Sequence, residues 1–431
     1  MHRETISLSQ VTKVEGSASL DVHLENGKVI DVQFKINEFK RFYTRAMKGK
    51  SLAAIPQLLS RICGTCSNAH IMCAIECAEN ALGLIPSSQT MLMRELLMYG
   101  LMIRDHALHL YLFVSPDLFG KDAFLDLDEN DPKEHQILHD AFELKAAGNF
   151  LSVIIGGRSV HAPYPTIGGF THFPTQDEIK EAIEKLENIR PAALRCIDLF
   201  KKDSRVLDRK TSYLALKGER FNFLKGRICS SDGECILEQN FRAHLERMVT
   251  DHSQATCYLY NGKPFLVGSL ARLNVAKETL NKNTLRDAKK ALDIFPSTNI
   301  FNNNLAQAIE ILHSIDNAIE ILKNEKINPE PVLKISPREA TGIGVIEAPR
   351  GTLYHKIAIN DKGIVTSGDI VVPTGQNQCN IEADVKSLVE ELFPKTPKEQ
   401  IVLEIEKLIR AYDPCMSCAA HFLKVKWKEN T

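Results

Sequence analysis

The first forty residues alternate between apolar and polar side chains, a period typical of strands that bury one face. The alternation runs over residues 18–24 and resumes over residues 30–36. Glu25-Asn26-Gly27 lies between the two runs and has the composition of a tight turn. We therefore predict a β-hairpin within residues 6–36.

Farther along the chain, apolar residues recur three and four positions apart, which predicts amphipathic helices. The predicted helices span residues 66–83, 88–114, 133–155, 176–203, 236–250, 284–293, 302–325 and 397–411. Two more hairpins are predicted: residues 256–259 with 265–267 across Asn261-Gly262, and residues 353–359 with 364–372 across 360–363. Residues 324–338 form the best loop candidate. The pattern favours a mainly helical α+β fold with long core helices and small peripheral antiparallel sheets.

Composition and charge narrow the function classes. Of the 431 residues, 44% are hydrophobic and 25% are charged, which is ordinary for a soluble globular protein. A net charge of -1 gives no electrostatic basis for binding nucleic acid or an anionic membrane. No apolar run reaches the roughly 18 residues needed for direct membrane insertion, and the N-terminal residues lack the apolar core of a signal peptide. We therefore predict a cytoplasmic protein.

Two Cys-x-x-Cys pairs, each followed by a histidine, lie near opposite ends of the chain, in Arg61–His70 and Asp413–His421. The pairs supply four thiolates, which are soft metal ligands. A structural zinc site is the plain alternative to a catalytic or redox metal. Since the 11 cysteines are an odd number in a large chain, we expect reduced thiols rather than disulfides.

The separation of the pairs predicts one interlocked unit over residues 1–431 rather than independent modules. Its expected parts are an N-terminal hairpin (about 6–36), a helical core (about 51–325), a C-terminal hairpin with the segment of the second cysteine pair (about 340–421) and a tail (422–431).

The two signatures, Arg-x-Cys-Gly-x-Cys-x-x-x-His and Asp-Pro-Cys-x-x-Cys-x-x-His, resemble those of the large, catalytic subunit of [NiFe] hydrogenases. Internal motifs at residues 13–16, 105–109, 347–351 and 373–377 follow the family's order, so the resemblance covers nearly the whole chain. The length is most similar to cytoplasmic bidirectional or sulfhydrogenase-type alpha subunits. The resemblance implies the large-subunit fold and reversible heterolytic cleavage of H₂ to protons and electrons.

The resemblance also implies a ligand set for a nickel–iron centre. Cys63 and Cys415 would be terminal nickel ligands. Cys66 and Cys418 would bridge nickel to an iron that carries carbon monoxide and cyanide. Cys415 is one candidate for the first proton acceptor.

Arg350 is the other candidate acceptor. The resemblance places it beside the metal centre, where Arg350 and Thr374 bind cyanide and Pro349 stiffens the turn that carries the arginine. From the residues alone, a surface arginine in a turn is the favoured interpretation of Arg350, and Thr374 could equally be a strand-end threonine. Asp105 and Asp413 would hold Arg350. Their alternatives are a helix-surface charge and an N-cap on the turn that carries Cys415.

Glu15 matches the glutamate that passes protons away from the terminal cysteine. A carboxyl can relay protons if burial brings its pKa near the working pH. The alternative for Glu15 is a solvent-facing position at a strand end. Lys13 replaces the arginine usual in this motif.

An outer magnesium-like ion is the weakest part of the resemblance. The family binds it through His421, with the carbonyl of Ile370 as a further ligand. Thr44 stands where the family has an acidic ligand, and a hydroxyl binds hard cations more weakly than a carboxylate. His70 would lie near the iron instead.

The other cysteines form no second set of four. Cys73 and Cys77 lie one helical turn apart and are predicted to pack in the core. Iron–sulfur clusters need dedicated cysteines, so a hydrogenase small subunit should carry them. The resemblance further implies flavin and iron–sulfur diaphorase subunits, and a maturation protease that removes residues 422–431 after His421. The rival functions are an H₂ sensor with the same site and a structural four-cysteine zinc protein.

Overall fold

The computed structural model of the chain describes residues 2–39 and 42–420. The predictions for His421 and for the tail after it lie outside these residues. No helix in the described ranges is long and apolar enough to cross a lipid bilayer.

Helices dominate the described structure, as the apolar spacing predicts. The α-helices are α1 (Tyr43–Ala46), α2 (Ile55–Ser60), α3 (Ser67–Leu82), α4 (Ser88–Ala107), α5 (Ser115–Phe119), α6 (Pro132–Gly156), α7 (Gln176–Lys201), α8 (Ser269–Ala276), α9 (Lys282–Asp287), α10 (Lys289–Leu292), α11 (Asn302–Asn324), α12 (Pro373–Leu392), α13 (Lys398–Ala411) and α14 (Met416–Ala419). Short 3₁₀ turns span Leu52–Ala54, Phe124–Asp126, Glu238–His244 and Lys277–Thr279, and a π-helical segment, Leu108–Val114, extends α4.

The strands are short and form small sheets. They are β1 (Arg3–Leu8), β2 (Ala18–Glu25), β3 (Lys28–Ile36), β4 (Pro165–Thr166), β5 (Gly169–Phe170), β6 (Ser212–Lys217), β7 (Arg227–Ser230), β8 (Cys235–Ile236), β9 (Leu245–Met248), β10 (Cys257–Tyr260), β11 (Phe265–Leu266), β12 (Ala340–Ala348), β13 (Gly351–Ile359) and β14 (Val365–Val371). The strand order is β1-β2-β3 in one sheet and β12-β13-β14 in another, both antiparallel. A four-stranded sheet has the order β11-β6-β7-β8, with a parallel β11–β6 pair.

The predicted N-terminal hairpin is confirmed as β2 and β3, and β1 adds a third strand to it. Leu20, Val22 and Phe34 are fully buried on one face of this sheet. Helix α12 lies against that sheet, where the Gln378 side-chain amide donates to the carbonyl of Phe34 (3.2 Å). The N-terminal sheet therefore supports a helix from the far end of the chain.

Two long helices approach each other closely at glycines. Gly100 on α4 faces α6, and a Cβ there would come within 2.6 Å of the Ser152 hydroxyl. A Cβ on Gly148 of α6 would come within 2.7 Å of the Arg104 backbone nitrogen. Larger side chains would force the helices apart. This contact fixes the end of α4 that carries Asp105.

Helix α3 packs with equal closeness on β12. A Cβ on Gly342 or Gly344 would collide with the carbonyl oxygens of Cys77 and Cys73. The Cys73 thiol donates to the Gly344 carbonyl (3.3 Å), and the Cys77 thiol donates to the Gly342 carbonyl (3.1 Å). Core packing is thus confirmed for both cysteines.

Some predicted elements are wrong. Residues 236–250 form a 3₁₀ turn and β9 instead of a helix, and residues 284–293 are split between α9 and α10. The turn predicted at Asn261-Gly262 is present, with Tyr260 and Lys263 forming an isolated antiparallel bridge around it. The strands predicted on either side of this turn do not pair with each other, since β10 pairs with β9 and β11 pairs with β6. Helix α12 and strand β12 were not predicted. The C-terminal hairpin and the 324–338 loop are confirmed, apart from the few residues at the loop's boundaries.

One disulfide differs from the expectation of reduced thiols. Cys229 and Cys235 are bonded to each other across the β7–β8 turn. The two residues are directly paired on adjacent antiparallel strands, which brings their Cα atoms to 4.1 Å. Their spacing of six residues does not by itself predict this disulfide.

A buried histidine predicts how stability depends on pH. The His313 Nδ1 accepts the Asn281 N–H (3.1 Å), and its Nε2 donates to the Phe221 carbonyl (3.0 Å). Burial lowers the pKa of His313 to about 4 from an ordinary value of 6.5. The folded state therefore takes up this proton less readily than the unfolded chain, so stability falls as pH drops from 6.5 toward 4.

Between pH 7 and about 4.5, we expect the melting temperature of His313→Gln to fall less than that of the unsubstituted protein. Glutamine does not titrate, so this variant lacks the difference in proton binding between the folded and unfolded states. Thermal unfolding at several pH values measures the effect. His135→Gln, at an exposed position, is the matched control and should follow the unsubstituted curve. Parallel curves for all three proteins would assign the acid sensitivity to other groups.

Candidate metal centre

The four cysteines of the two signatures meet in one buried cluster. Cys63 and Cys66 lie in the loop between α2 and α3, and Cys415 and Cys418 lie at the start and within α14. The sulfurs of Cys63 and Cys415 are 3.3 Å apart, as are those of Cys66 and Cys418. All four Sγ atoms lie within 4.8 Å of one another, and each residue is at most 3% exposed.

The electrostatics of the thiols favour a bound cation. Burial raises the pKa of the Cys415 and Cys418 thiols well above their ordinary value. Hydrogen bonds with Cys415, Cys418 and Cys66 lower the pKa of Cys63 well below it. The cluster therefore holds one negative charge more readily than several. Four thiolates at this spacing need metal charge to offset their repulsion.

The backbone of the second cysteine pair is held by the N-terminal segment. The Met416 N–H donates to the Glu15 carbonyl (3.0 Å), and Glu15 forms an isolated parallel bridge with Cys415. The Cys415 N–H donates to the Thr374 hydroxyl (2.9 Å) at the first turn of α12. Thr374 is thus buried at the cluster, not at a strand end.

Arg104 holds the first cysteine pair, and the sequence reasoning missed it. Its guanidinium donates to the Thr65 carbonyl (2.7 Å), between Cys63 and Cys66. Arg104 is 6% exposed, which is unusual for an arginine on a helix. Its position directly before Asp105, the first residue of an internal motif, is the sequence feature that could have indicated its role.

Glu15 contacts the cluster through its side chain. The Cys415 thiol donates to Oε2 of Glu15 (3.1 Å), and so does the Ser417 N–H (3.1 Å). Burial, and then the negative charge of Cys63, raise the pKa of Glu15 above its ordinary value. Glu15 is half-buried, so it lies between the sulfurs and the protein surface.

Arg350 lies between two carboxylates and lines a cavity that Glu15 does not line. It donates to Asp105 (2.7 Å) and to Asp413 (2.8 Å), and all three side chains are nearly inaccessible. The two carboxylates outweigh the burial that disfavours the charge, and they raise the pKa of Arg350 well above its ordinary value. Asp413 does not cap α14, whose N-cap is Cys415 with no side-chain cap bond.

A small cavity separates Arg350 from the sulfurs. Among the described residues, the buried Nε atom of Arg350 has no hydrogen-bond partner. The cavity is lined by Cys66, His70, Ala348, Arg350, Leu353, Pro373, Thr374, Cys415 and Cys418. A closed structural zinc site needs neither such a cavity nor a buried cation facing it. The soft donors, the cavity and the unused Nε donor fit a metal that carries small additional ligands.

The remaining predicted residues lie at different distances from the four sulfurs. The Nε2 of His70 is 3.6 Å from the Cys418 sulfur, and its Nδ1 is 3.3 Å from Nε2 of His355. Lys13 pairs with Asp117 (2.8 Å). Ile370 is buried on β14 and does not line the cavity. The predicted outer ion site depends on His421, which lies outside the described residues, so that site stays a prediction.

Comparisons with known proteins identify the family of this chain. The profile of the nickel-dependent hydrogenase family matches residues 43–137 and 248–421. Sulfhydrogenase 1 subunit alpha of Pyrococcus furiosus is 32% identical over 429 residues, covering 97% of this chain and 98% of that protein. The NAD-reducing hydrogenase HoxS subunit beta of Cupriavidus necator is 27% identical, covering 96% and 94%.

A solved structure shares the fold. The crystal structure of an NAD⁺-reducing [NiFe]-hydrogenase in the H₂-reduced state superposes with a TM-score of 0.88 at 22% identity, covering 97% of this chain and 99% of that one. The mainly helical fold with small sheets is therefore confirmed. The chain belongs to the nickel-dependent hydrogenase family, as the two cysteine signatures predict.

The cluster geometry predicts which cysteines hold metal. We expect Cys66→Ser to lose most nickel and iron, because a hydroxyl cannot replace a soft thiolate. Cys73→Ser is the matched control, since Cys73 is equally buried on α3 but bonds to β12. Elemental analysis of the purified proteins measures both metals. Full metal content in Cys66→Ser, or an equal loss in both variants, would contradict the assignment.

Proposed function

We propose that this chain is the catalytic subunit of a [NiFe] hydrogenase that interconverts H₂ with protons and electrons. The observation that carries the proposal is the buried four-thiol cluster, whose Cys415 bonds to the Glu15 carboxyl and whose adjoining cavity is lined by Arg350. A metal pair bound there would supply the H₂-splitting chemistry. The protein residues would orient that centre, keep it dry and move protons away from it.

The cavity supports different roles for the four sulfurs. Cys66, Cys415 and Cys418 line the cavity that Arg350 faces, whereas Cys63 does not. Cys415 differs from the other two lining cysteines because its thiol also bonds to Glu15. We assign Cys66 and Cys418 as the bridging ligands and Cys63 and Cys415 as the terminal nickel ligands. Iron with carbon monoxide and cyanide ligands would then occupy the cavity side.

Two side chains can hold the cyanide ligands. The Arg350 guanidinium has an unused Nε donor, and its carboxylate partners fix its orientation. The Thr374 hydroxyl accepts from Cys415, so its own hydrogen is left to donate. Pro349 fixes the turn before Arg350. Donors held in place before the reaction lose little free energy to reorganisation during it.

Proton transfer runs through Cys415 and Glu15. The Cys415 sulfur and the Glu15 Oε2 are already at hydrogen-bond distance, so a proton can pass between them without rearrangement. The raised pKa of Glu15 makes its carboxyl a better acceptor near neutral pH. We assign proton relay to this pair, with Asp105 and Asp413 holding Arg350.

Electrons must leave through a partner. In the described residues, the cysteines outside the cluster form no second four-sulfur set, so we propose a small subunit with iron–sulfur clusters. The similarity to an NAD-reducing hydrogenase subunit supports flavin-containing diaphorase partners. The interlocked single unit, a maturation protease acting after His421 and a cytoplasmic location stay predictions. A firmly bound outer ion is not part of the proposal, because of Thr44.

The purified native complex tests the proposal. We expect close to one nickel and one iron per site in this subunit, and H₂-dependent reduction of a viologen dye. Zinc as the sole metal would refute a hydrogenase and leave a structural site. Nickel and iron without dye turnover would instead favour an H₂ sensor.

Glu15→Gln tests the relay directly. We expect dye reduction to fall on the order of 10²–10⁴-fold, the usual contribution of a positioned proton-transfer group. Nickel and iron content should remain, because an amide can still accept the Ser417 N–H. Glu406→Gln is the matched control, since that carboxylate accepts from Thr12 and touches no cysteine. Unchanged turnover in Glu15→Gln would remove Glu15 from the path.

A further inference from the structure

Arg272 on α8 is a buried arginine outside the cysteine cluster. It is 1% exposed and lies between Glu310 of α11 and Glu347 of β12, both fully buried. Its Nε donates to Glu310 (2.6 Å), and one terminal nitrogen donates to Glu347 (2.9 Å). Burying three charges is costly, and their attraction offsets that cost only when the ion-pair geometry is good and the remaining donors and acceptors are hydrogen-bonded.

The same guanidinium also binds the backbone that carries Arg350. It donates to the carbonyl of Ala348 (3.0 Å) and to the carbonyl of Pro349 (2.9 Å). Ala348 and Gly351 are paired residues of β12 and β13, so Pro349 and Arg350 form the two-residue turn of this hairpin. Arg272 therefore holds the turn directly before the residue that faces the cavity.

Close packing against the segment that leads into α8 also fixes this turn. A Cβ on Gly351 would lie 2.8 Å from the Gly268 nitrogen, and a Cβ on Gly268 would lie 3.2 Å from the Arg350 carbonyl oxygen. Gly351 has a φ of +129°, which favours glycine. The turn can thus shift only if the segment leading into α8 shifts with it.

The hydrogen bonds around Arg272 also extend to the residue next to Asp105, one of the two carboxylate partners of Arg350. Glu310 accepts from His106 Nε2 (2.9 Å) and from the Ser269 hydroxyl (2.7 Å). His106 is the neighbour of Asp105 on α4. Glu347 accepts from the Thr352 hydroxyl (3.0 Å) and the Leu216 N–H (2.8 Å). Buried networks with this many partners are rigid.

We propose that Arg272 is a positioning residue for the hydrogenase reaction. Its guanidinium fixes the Ala348–Pro349 turn, so that the Arg350 side chain stays between Asp105 and Asp413 and faces the cysteine cavity. The inference rests on the proposed function, because it assigns Arg272 to the placement of a group at the metal centre. Arg272 does not line the cavity and acts only through Arg350.

Arg272→Lys is the informative variant. Lysine keeps the positive charge between the two glutamates, but its single ammonium cannot reach both carboxylates and both carbonyls together. We expect the purified complex to keep its nickel and iron and to lose roughly 10- to 100-fold in H₂ turnover, the effect of misplacing a group by about 1 Å. We also expect a shift in the infrared stretching bands of the iron-bound cyanides.

Arg94→Lys is the matched control. Arg94 is 4% exposed and forms a two-point ion pair with Glu79, but it contacts neither the turn nor the cluster. This variant should keep the cyanide bands and the turnover of the unsubstituted complex. If it loses turnover and shifts the bands as Arg272→Lys does, the effect is general to buried arginines and the inference fails.

A double variant separates positioning from a general structural role. Once Arg350 is replaced by lysine, adding Arg272→Lys should cause little further loss of turnover or band shift, because Arg272 acts through Arg350. Full additivity of the two losses would overturn the inference, as would unshifted bands in Arg272→Lys. Absence of cyanide bands from the unsubstituted complex would instead overturn the proposed function, whatever the variants do.

Discussion

The structure depends on closing a cluster of four thiols from segments 352 residues apart. Buried sulfurs at contact distance resist holding more than one negative charge together, so the protein must hold them against their own electrostatics until metal offsets the charge. It does so with backbone hydrogen bonds. Met416 is held by the carbonyl of Glu15, and Thr65 is held by Arg104. The rigid core behind these bonds keeps the sulfurs together.

Two different kinds of side chain stand at the cluster. Glu15 is half-buried and polar, and its carboxyl touches a sulfur without lining the cavity. Arg350 lines the cavity and is sealed among carboxylates at the tip of a tight hairpin. In the proposed function, Glu15 accepts a proton from the sulfurs, while Arg350 keeps a fixed positive charge at the cavity. This asymmetry suits a centre that separates a proton from electrons.

The sequence predicted the regular elements better than the buried polar ones. Alternating or helical apolar periods located β2, β3 and most long helices correctly. Helix α12 was missed because its first turns carry buried amides such as Gln376, Gln378 and Asn380, which interrupt the apolar period. Those amides are held by partners from distant segments, such as the Phe34 carbonyl and the Tyr412 hydroxyl. A pattern of neighbouring residues cannot indicate hydrogen-bond partners that lie so far away in the chain.

The bridge between Glu15 and Cys415 also constrains the order of folding. A growing chain presents Cys63 and Cys66 long before Cys415 exists, so during synthesis only half of the cluster is available. The segment around Glu15 must wait for its backbone partner as well. The last sulfurs to be made thus also complete the backbone bridge at Glu15. Because the finished cluster is almost inaccessible, a metal would have to enter before that bridge forms or through a transient reopening, so the fold itself sets the order of assembly.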